Sequence, residues 1–306
     1  MAQIDNLRTE EKFKKTEIGE IPVDWGVATL DEISEEIYRY PTYYNIKYVK
    51  QGIPEVRGEL IRLNGLLETD LSRYRFISPE TASKFPRTCL REGDFVISVR
   101  GTKGKVAIIP ESLDGANMTA NLIRVSPDRS KIFPMFFRHV LISEKFQETL
   151  NITSSTTTIR TIKAPELKRL KFAIPPLPEQ KKIAEVLSTI DQAIEKNKEI
   201  IEKTKELKKG LMQELLTRGI GHKKFKKTEI GEIPVEWRVA KIEDCCDILD
   251  PQRIPSPPFT EQERIAKVLS CVDEKIEKTM KRKENLGLVK KGLMQVLLTG
   301  KMRVKV

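Results

Sequence analysis

The chain has 306 residues, of which 39% are hydrophobic and 32% are charged, and its formal net charge is +11. This length allows two domains of ordinary size, and the hydrophobic fraction is enough for a packed core. The positive balance favours a polyanionic partner, although a basic surface without a ligand is the alternative. The sequence contains no apolar run of membrane-spanning length and no signal-peptide pattern. Four cysteines without zinc or disulfide-scaffold spacing fit a reducing cytoplasm.

The chain begins with a polar stretch, residues 1–12, that is predicted to be disordered. Residues 13–25, FKKTEIGEIPVDW, form a short motif that returns at residues 225–237 as FKKTEIGEIPVEW. The apolar residues of this motif can pack as a clip, with Gly and Pro setting turns. Its repetition predicts that the same kind of socket is occupied twice. We call the two segments the first clip and the second clip.

The next part of the chain, residues 26–174, reads as a mixed domain. Short β-branched and aromatic runs alternate with Gly, Pro, Asn and Asp, which is typical of short strands. TLDEISEEIY at 29–38 is predicted as a short helix, and PMFFRHVLISEKFQETL at 134–150 as another. Residues 26–174 hold 23 Lys and Arg against 17 Asp and Glu, whereas residues 175–219 hold nine against eight. The positive excess therefore lies on the globular domain, residues 13–174 with the first clip.

Three stretches of this domain carry side chains that nucleic-acid interfaces use. SVRGTKGKVAI (98–108) is a glycine-relieved turn with three cations, which suits a phosphate backbone; an ordinary hairpin with solvated lysines is equally consistent. NITSSTTTIRTI (151–162) offers hydroxyls that can bond phosphates or bases, or it is a capped surface loop. YRYPTYYN (38–45) offers aromatic rings and an arginine, although some of its tyrosines are expected in the core. The candidate contact residues are Arg100, Lys103, Lys105, Tyr43, Tyr44, Ser154, Ser155, Thr156, Thr157 and Arg160.

Residues 175–219 and 261–300 are predicted as two long helices. Apolar residues recur along both in steps of four and three, the period-3.5 pattern of a coiled coil. The second helix repeats the pattern of the first 82 residues later, and a narrow seam of this length needs a partner helix. Because short helix connections favour antiparallel neighbours, the two helices are predicted to pair within the chain. The pairing residues are Ile183, Leu187, Ile190, Ile194, Ile201, Leu211, Leu215, Ile265, Leu269, Val272, Ile276, Leu286, Leu293 and Leu297.

The linker between these helices, residues 220–260, contains the second clip and little else. Trp25 lies 154 residues before Glu179 at the start of the first helix, whereas Trp237 lies only 24 residues before Glu261. The shorter bridge cannot bury a core of its own, so it is interpreted as the remnant of a second globular domain. Residues 301–306 are predicted to be a basic tail.

The sequence carries no recognisable catalytic motif. It lacks a nucleotide-binding fingerprint, a zinc-protease motif, a nucleophile elbow and a convincing carboxylate cluster. His139, one of two histidines, lies in an apolar stretch and is interpreted as packed rather than catalytic. We therefore expect neither catalysis nor a metal site in this chain.

The order of these motifs is similar to that of a known family. A globular domain containing GDFVISVRGTKGKVAI (93–108) leads through PPLPEQ (175–180) into IAEVLSTIDQAIE (183–195) and KKGLMQELLT (208–217). This arrangement resembles the specificity subunit of type I restriction–modification systems. The expected fold is α+β, with one target-recognition domain of strands and helices and two long helices that form an antiparallel coiled coil.

The resemblance implies a non-catalytic subunit that reads double-stranded DNA and docks methyltransferase subunits on its helices. It also implies S-adenosylmethionine in the methyltransferase partner, ATP and magnesium in a restriction subunit, and no cofactor in this chain. Family members have two recognition domains, whereas here the second is almost wholly missing. A homodimer would restore two, and it would read a palindrome. The alternative is a coiled-coil scaffold or inhibitor that sequesters methyltransferase subunits without specific DNA recognition.

Overall fold

The computed structural model describes residues 7–9, 12–39, 46–99, 104–153, 162–241 and 260–305. It divides into two compact units. The first unit is Met1–Thr189 with Lys290–Val306, and the second unit is Ile190–Val289. Each long helix therefore contributes residues to both units.

The strands described in chain order are β1 (Leu7–Thr9), β2 (Phe13–Thr16), β3 (Gly19–Pro22), β4 (Gly26–Thr29), β5 (Ser34–Arg39), β6 (Tyr48–Val49), β7 (Ile53–Val56), β8 (Arg75–Ile77), β9 (Phe95–Ser98), β10 (Val106–Ile108), β11 (Asn117–Met118), β12 (Leu122–Pro127), β13 (Lys171–Ile174), β14 (Phe225–Thr228), β15 (Gly231–Pro234) and β16 (Met302–Val304). The α-helices described are α1 (Pro79–Ser83), α2 (Pro134–Leu141), α3 (Glu144–Thr153), α4 (Ala164–Lys168), α5 (Leu177–Arg218) and α6 (Thr260–Leu297).

The centre of the first unit is an antiparallel sheet with the strand order β10-β9-β12-β5. Because successive side chains of a strand face opposite sides, this sheet separates two cores. Phe95 and Ile97 of β9 pack into one core with residues of α2 and α3. Val96 packs into the other with Val56 and Met118, which belong to a second sheet of order β11-β7-β8-β6. The α+β fold predicted from the sequence is confirmed.

Two local predictions in this unit were wrong. Residues 29–38 were expected to be helical, but Ser34–Arg39 forms strand β5 and pairs with β12. Pairing along a central strand outweighs the weak helical preference of so short a segment. The helix expected at 134–150 is broken between α2 and α3. There the Ser143 hydroxyl donates to the Val140 carbonyl at 2.6 Å and accepts from the Phe146 amide at 3.3 Å, which ends one helix and caps the next.

The ends of the described chain also differ from the prediction. Leu7–Thr9 pairs antiparallel with Met302–Val304, so neither the amino-terminal stretch nor the carboxy-terminal one is wholly irregular. Arg303 is 6% exposed. One of the three cations of the expected basic tail is therefore a buried structural residue, and it is held there by two carboxylates described below.

The predicted seam is the protected face of both long helices. In α6 every seam position from Ile265 to Leu297 is buried or half-buried, whereas all the other residues between 266 and 285 are exposed. In α5 the seam includes Asn197, which is 7% exposed and donates to the Ala193 carbonyl of its own helix at 2.7 Å. The period of 3.5 read from the sequence therefore describes how these helices are buried.

Both units contain segments of the two helices that run antiparallel. In the second unit Lys208 pairs with Asp273 at 2.6 Å, and the Ile220 amide, just after α5, donates to Glu261 at 2.7 Å. Rising residue numbers on α5 thus meet falling numbers on α6. In the first unit Leu187 near the start of α5 shares a core with Leu297 at the end of α6. The predicted antiparallel pairing is confirmed.

The two clips are β-hairpins that dock on equivalent sockets. In the first unit β2 pairs with β3, and the Trp25 indole donates to Glu179 at 3.0 Å. In the second unit β14 pairs with β15, and the Trp237 indole donates to Glu261 at 3.0 Å. Each glutamate lies in the first turn of its long helix, where the helix dipole favours a carboxylate. The repeated motif therefore occupies the same kind of socket twice.

A different cation completes each socket. In the first unit Arg303 donates to Glu179 at 2.6 Å and to Asp24 at 2.8 Å. In the second unit both ring nitrogens of His222 meet carboxylates, Nδ1 with Glu236 at 3.0 Å and Nε2 with Glu261 at 2.9 Å. Asp24 and Glu236 are matching positions of the two clips. The first socket is thus closed by a permanent charge and the second by a titratable one.

Candidate nucleic-acid interface

Most of the candidate contact residues lie outside the described residues. This holds for Tyr43 and Tyr44, for Arg100 and Lys103, and for the hydroxyl-rich group with its arginine. That last group comprises Ser154, Ser155, Thr156, Thr157 and Arg160. What the structure defines is the framework from which these three segments leave.

Two of the three segments leave from one end of the central sheet. Ile123 of β12 pairs with Arg39 on one side and with Ile97 on the other, and Leu122 pairs with Ser98. Arg39 is the last described residue before the tyrosine-rich segment, and residue 99 is the last before the Arg100 segment. Both segments therefore begin at the same end of the sheet, which we call the Arg39 end.

The third segment begins beside the same end. Helix α3 finishes at Thr153, one residue before the Ser154 group. Its Gln147 amide donates to the Gly104 carbonyl at 3.0 Å. Gly104 has φ of +73°, and a Cβ there would lie 3.1 Å from Leu150. Gly104 directly follows the Arg100–Lys103 segment, so the flanks of all three predicted segments lie together.

Lys105 is the one candidate cation that is described, and its ammonium group has a structural partner. It is half-buried and donates to the Ile61 carbonyl at 3.2 Å. This contact joins strand β10 to the turn that follows β7. Sequence analysis could not foresee it because the two residues are 44 positions apart. Contact of Lys105 with a phosphate remains a prediction.

The second sheet carries a polar cluster that sequence analysis missed. The Tyr48 hydroxyl donates to buried Glu55 at 3.3 Å, and the Arg75 guanidinium lies over the Tyr48 ring at 5.5 Å from its centroid. Burial raises the pKa of Glu55. Burial and the neighbouring Glu55 charge raise the pKa of Tyr48. The cluster depends on cross-strand register, which leaves no local signature in the sequence.

A cleft of about 810 Å³ opens beside β5 and β12, and two of the arginines that line it share one carboxylate. Arg124 is bound to Glu36, and Arg87 donates to the same carboxylate at 2.8 Å while stacking on Tyr38. Asp94 lies 3.8 Å from Arg124, and burial raises the pKa of Asp94. These ion pairs engage the side chains of Arg87 and Arg124 within the cleft.

The described residues contain no arrangement typical of catalysis. Within them no group of three or more His, Cys, Asp and Glu side chains could hold a metal ion. His139 is fully buried, and its Nε2 lies 3.4 Å from the Ser188 hydroxyl. Burial, with the Arg138 charge beside it, lowers the pKa of His139 to about 2. It is therefore a neutral, packed side chain, as interpreted from the sequence. No helix in the described ranges is long and apolar enough to cross a membrane.

Comparison with known proteins assigns the family. Residues 22–206 match the type I restriction modification DNA specificity domain, a region that runs from the first clip through the globular domain into α5. The chain belongs to this family. The resemblance inferred from PPLPEQ and the two helices is thus confirmed.

Relatives and solved structures agree with this assignment. The chain is 36% identical over 260 residues to a protein named putative type I restriction enzyme MjaX specificity subunit from Methanocaldococcus jannaschii, covering 83% of this chain and 60% of that one. It is 29% identical over 225 residues to the EcoBI specificity subunit from Escherichia coli, covering 71% and 44%. The chain thus spans about half the length of these relatives.

Two crystal structures share the fold at 14% identity. One is the HsdS subunit from Thermoanaerobacter tengcongensis, with a TM-score of 0.51 over 92% of this chain and 98% of that one. The other is a type I restriction–modification S subunit from M. genitalium, with a TM-score of 0.53 over 90% and 96%. At this identity they support the architecture of sheets and long helices alone.

Proposed function

We propose that this chain is the non-catalytic specificity subunit of a type I restriction–modification complex and that residues 13–174 read one half of a DNA site. The observation that supports the proposal is that the described residues flanking the three predicted segments lie together at the Arg39 end of a basic domain. Phosphate contacts would fix the register, and hydroxyl and aromatic side chains would reach base edges.

The partners in this proposal are methyltransferase subunits, which would bind the long helices. Large apolar side chains outside the pairing seam of the second unit support such docking, because exposed apolar surface marks interaction sites. In α5 they include Ile200, Leu207 and Leu216, which are 44%, 57% and 53% exposed. In α6 they include Leu288 at 69%. S-adenosylmethionine would be bound by the methyltransferase, and ATP with magnesium by a restriction subunit.

A homodimer is the arrangement that would complete the DNA site. Ile18 of the first clip packs against the core of the first unit, and Lys145 of α3 bonds its carbonyl at 3.0 Å. The matching residue of the second clip, Ile230, is 71% exposed, and nearby Val239 is 37% exposed. This bare apolar surface suits a second copy. A two-fold dimer would carry two identical recognition domains, so its DNA site would be a palindrome with an unread spacer.

DNA binding of the complex with its methyltransferase, measured across a salt series, tests the proposal. Replacing Arg100, Lys103 and Lys105 by Ala should weaken binding of all sequences alike and lower the slope of log affinity against log salt by about 3. The matched control removes three lysines of the second clip region: Lys223, Lys224 and Lys227.

The control should bind DNA as the wild type does. Equal binding by the wild type and the Arg100 triple variant would refute the assignment of these cations. A complex that forms with the methyltransferase but binds no DNA would instead favour the scaffold or inhibitor function.

A further inference from the structure

An exposed tyrosine on the edge strand of the second sheet is hydrogen-bonded to a buried carboxylate. Tyr48 is 47% exposed, and its hydroxyl donates to a carboxylate oxygen of Glu55 at 3.3 Å. Glu55 is 1% exposed and lies two strands away, on β7. The buried carboxylate thus reaches across β8 to fix the position of a side chain at the surface.

This arrangement is costly for a purely structural contact. Burying a carboxylate is unfavourable unless it is well paired, and the raised pKa of Glu55 records that penalty. No lysine or arginine lies within ion-pair distance of Glu55 among the described residues. What the contact provides is a fixed orientation of an exposed phenol ring. Residues kept in unfavourable environments at a surface are candidates for function.

One cation lies over the fixed ring, and a second lines the same cleft. The Arg75 guanidinium lies over it, and Lys50 and Ser72 line the same open cleft of about 620 Å³. Lys50, Ser72 and Arg75 are exposed, and the two cations form no ion pair with other described residues. An aromatic ring beside two cations that form no ion pair with described carboxylates is the chemistry that proteins use on a nucleic-acid backbone.

The cluster is connected to the end of the domain where the three predicted segments emerge. The Thr119 amide donates to the Val56 carbonyl at the end of β7, and the Val99 amide donates to the Asn121 carbonyl. Residues 119–121 therefore join the end of the strand that carries Glu55 to the end of β9. Strand β7, which carries Glu55, therefore ends close to the Arg39 end.

We propose that Tyr48, Lys50, Ser72 and Arg75 form a second DNA-backbone contact surface and that Glu55 is its positioning residue. This inference rests on the proposed function and adds to it a contact outside the three segments predicted from the sequence. Lys50 and Arg75 neutralise phosphates, and Tyr48 packs against the sugar–phosphate chain beside them. The surface strengthens binding of every sequence and leaves the choice of sequence to other residues.

The test measures binding by the complex of this chain with its methyltransferase. Two duplexes are compared: one of random sequence, and one that carries the site identified by methylation mapping. Lys50→Ala with Arg75→Ala should lower affinity for both duplexes about tenfold at physiological salt and reduce the salt slope by about 2. A matched pair, Lys84→Ala with Lys181→Ala, removes two exposed cations elsewhere in the same unit and should change neither quantity.

The positioning role has its own readout. Glu55→Gln keeps an acceptor for the Tyr48 hydroxyl and should bind DNA as the wild type does, whereas Glu55→Leu should lose affinity about threefold or more. Circular dichroism verifies that each variant is folded. If the wild type binds DNA and the Lys50/Arg75 variant binds it with the same affinity and the same salt slope, this inference alone is overturned. A wild-type complex that binds no DNA would overturn the proposed function as well.

Discussion

Single carboxylates at the start of the two long helices determine how the clips are held. Glu179 accepts hydrogen bonds from Trp25 and Arg303 and is 2% exposed. Glu261 accepts from Trp237 and His222. Although burial opposes it, these donors and the Ile220 amide hold the pKa of Glu261 at about 2. At each socket the clip, the start of the helix and the cation are therefore joined by hydrogen bonds to one carboxylate.

Removing the cation of the first socket should be strongly destabilising. Arg303→Ala leaves Glu179 buried without its charge partner, which costs about 3–5 kcal/mol in comparable buried pairs. Urea unfolding, followed through Trp25 fluorescence in a Trp237→Phe background, measures the loss for the first unit. The exposed neighbour Lys301 provides the control, and its replacement by Ala should stay within about 0.5 kcal/mol. A change for Arg303→Ala as small as for the control would contradict the role of the socket.

The second socket should depend on pH in a defined direction. Hydrogen bonding to Glu261 and the charges of Glu261 and Glu236 raise the pKa of His222, although partial burial opposes the shift. A raised folded-state pKa means that the stabilisation is fully present below the unfolded value of about 6.5 and is lost as pH rises through the folded value. Intrinsic-rate-corrected hydrogen exchange of β14 and β15 should therefore show protection that falls as the pH rises from below about 6.5 into the alkaline range.

Two variants check this assignment. His222→Arg should keep the protection and make it independent of pH over that range, because a guanidinium group stays charged throughout. His222→Gln should give low protection at both ends of the range. Equal pH dependence in the wild type and in His222→Arg would exclude the imidazole as its source.

At the scale of elements, periodic segments were predictable and contact-dependent ones were not. The seam of α5 and α6 follows from spacing alone, because a helix with one apolar stripe can bury only that stripe. Strand β5 was missed because its partner strand β12 is far away in the sequence: Glu36 and Arg124, which are bound to each other, are 88 residues apart. The strand at Leu7–Thr9 was missed for the same reason, since its partner is at the other end of the chain.

The pairing of the helices can be tested within α5. Ile190 and Ile194 are half-buried seam residues, whereas Ile200 on the same helix is 44% exposed. Ile190→Asp with Ile194→Asp should cost about 2–5 kcal/mol because it places charges in the seam. The loss is measured as reduced helical circular dichroism and a lower melting temperature. Ile200→Asp is the control and should leave both nearly unchanged. A double variant with wild-type helicity and melting temperature would refute the pairing.

At the scale of the whole molecule, the sequence predicted the class of fold and the family, but it located the candidate site only in part. The three segments were chosen from composition, and the sheet register then brought their flanks to one end. The Tyr48 cluster escaped notice because Glu55 and Tyr48 meet through strand order rather than through spacing. The cations Arg303 and His222 escaped notice because each is joined to its clip by tertiary contacts.

Dimer formation through the bare surface of the second clip predicts a specific variant. Light scattering should find one copy of this chain in the Ile230→Asp complex and two in the wild-type complex. A charge placed on an apolar two-fold interface appears twice, once from each chain. Leu63→Asp is the control, because Leu63 is 87% exposed in the first unit. A single copy in the wild-type complex would rule the dimer out.

The most direct test of the account is base-resolution methylation mapping of DNA treated with the cognate methyltransferase, with and without this chain. We expect methylation that depends on the chain and falls on one sequence whose two halves are inverted repeats around an unread spacer. The Arg100, Lys103 and Lys105 triple variant should weaken methylation at that site without moving it. A methylation pattern that is the same in the absence of the chain would contradict its role as the specificity subunit, and an asymmetric bipartite site would contradict the dimer.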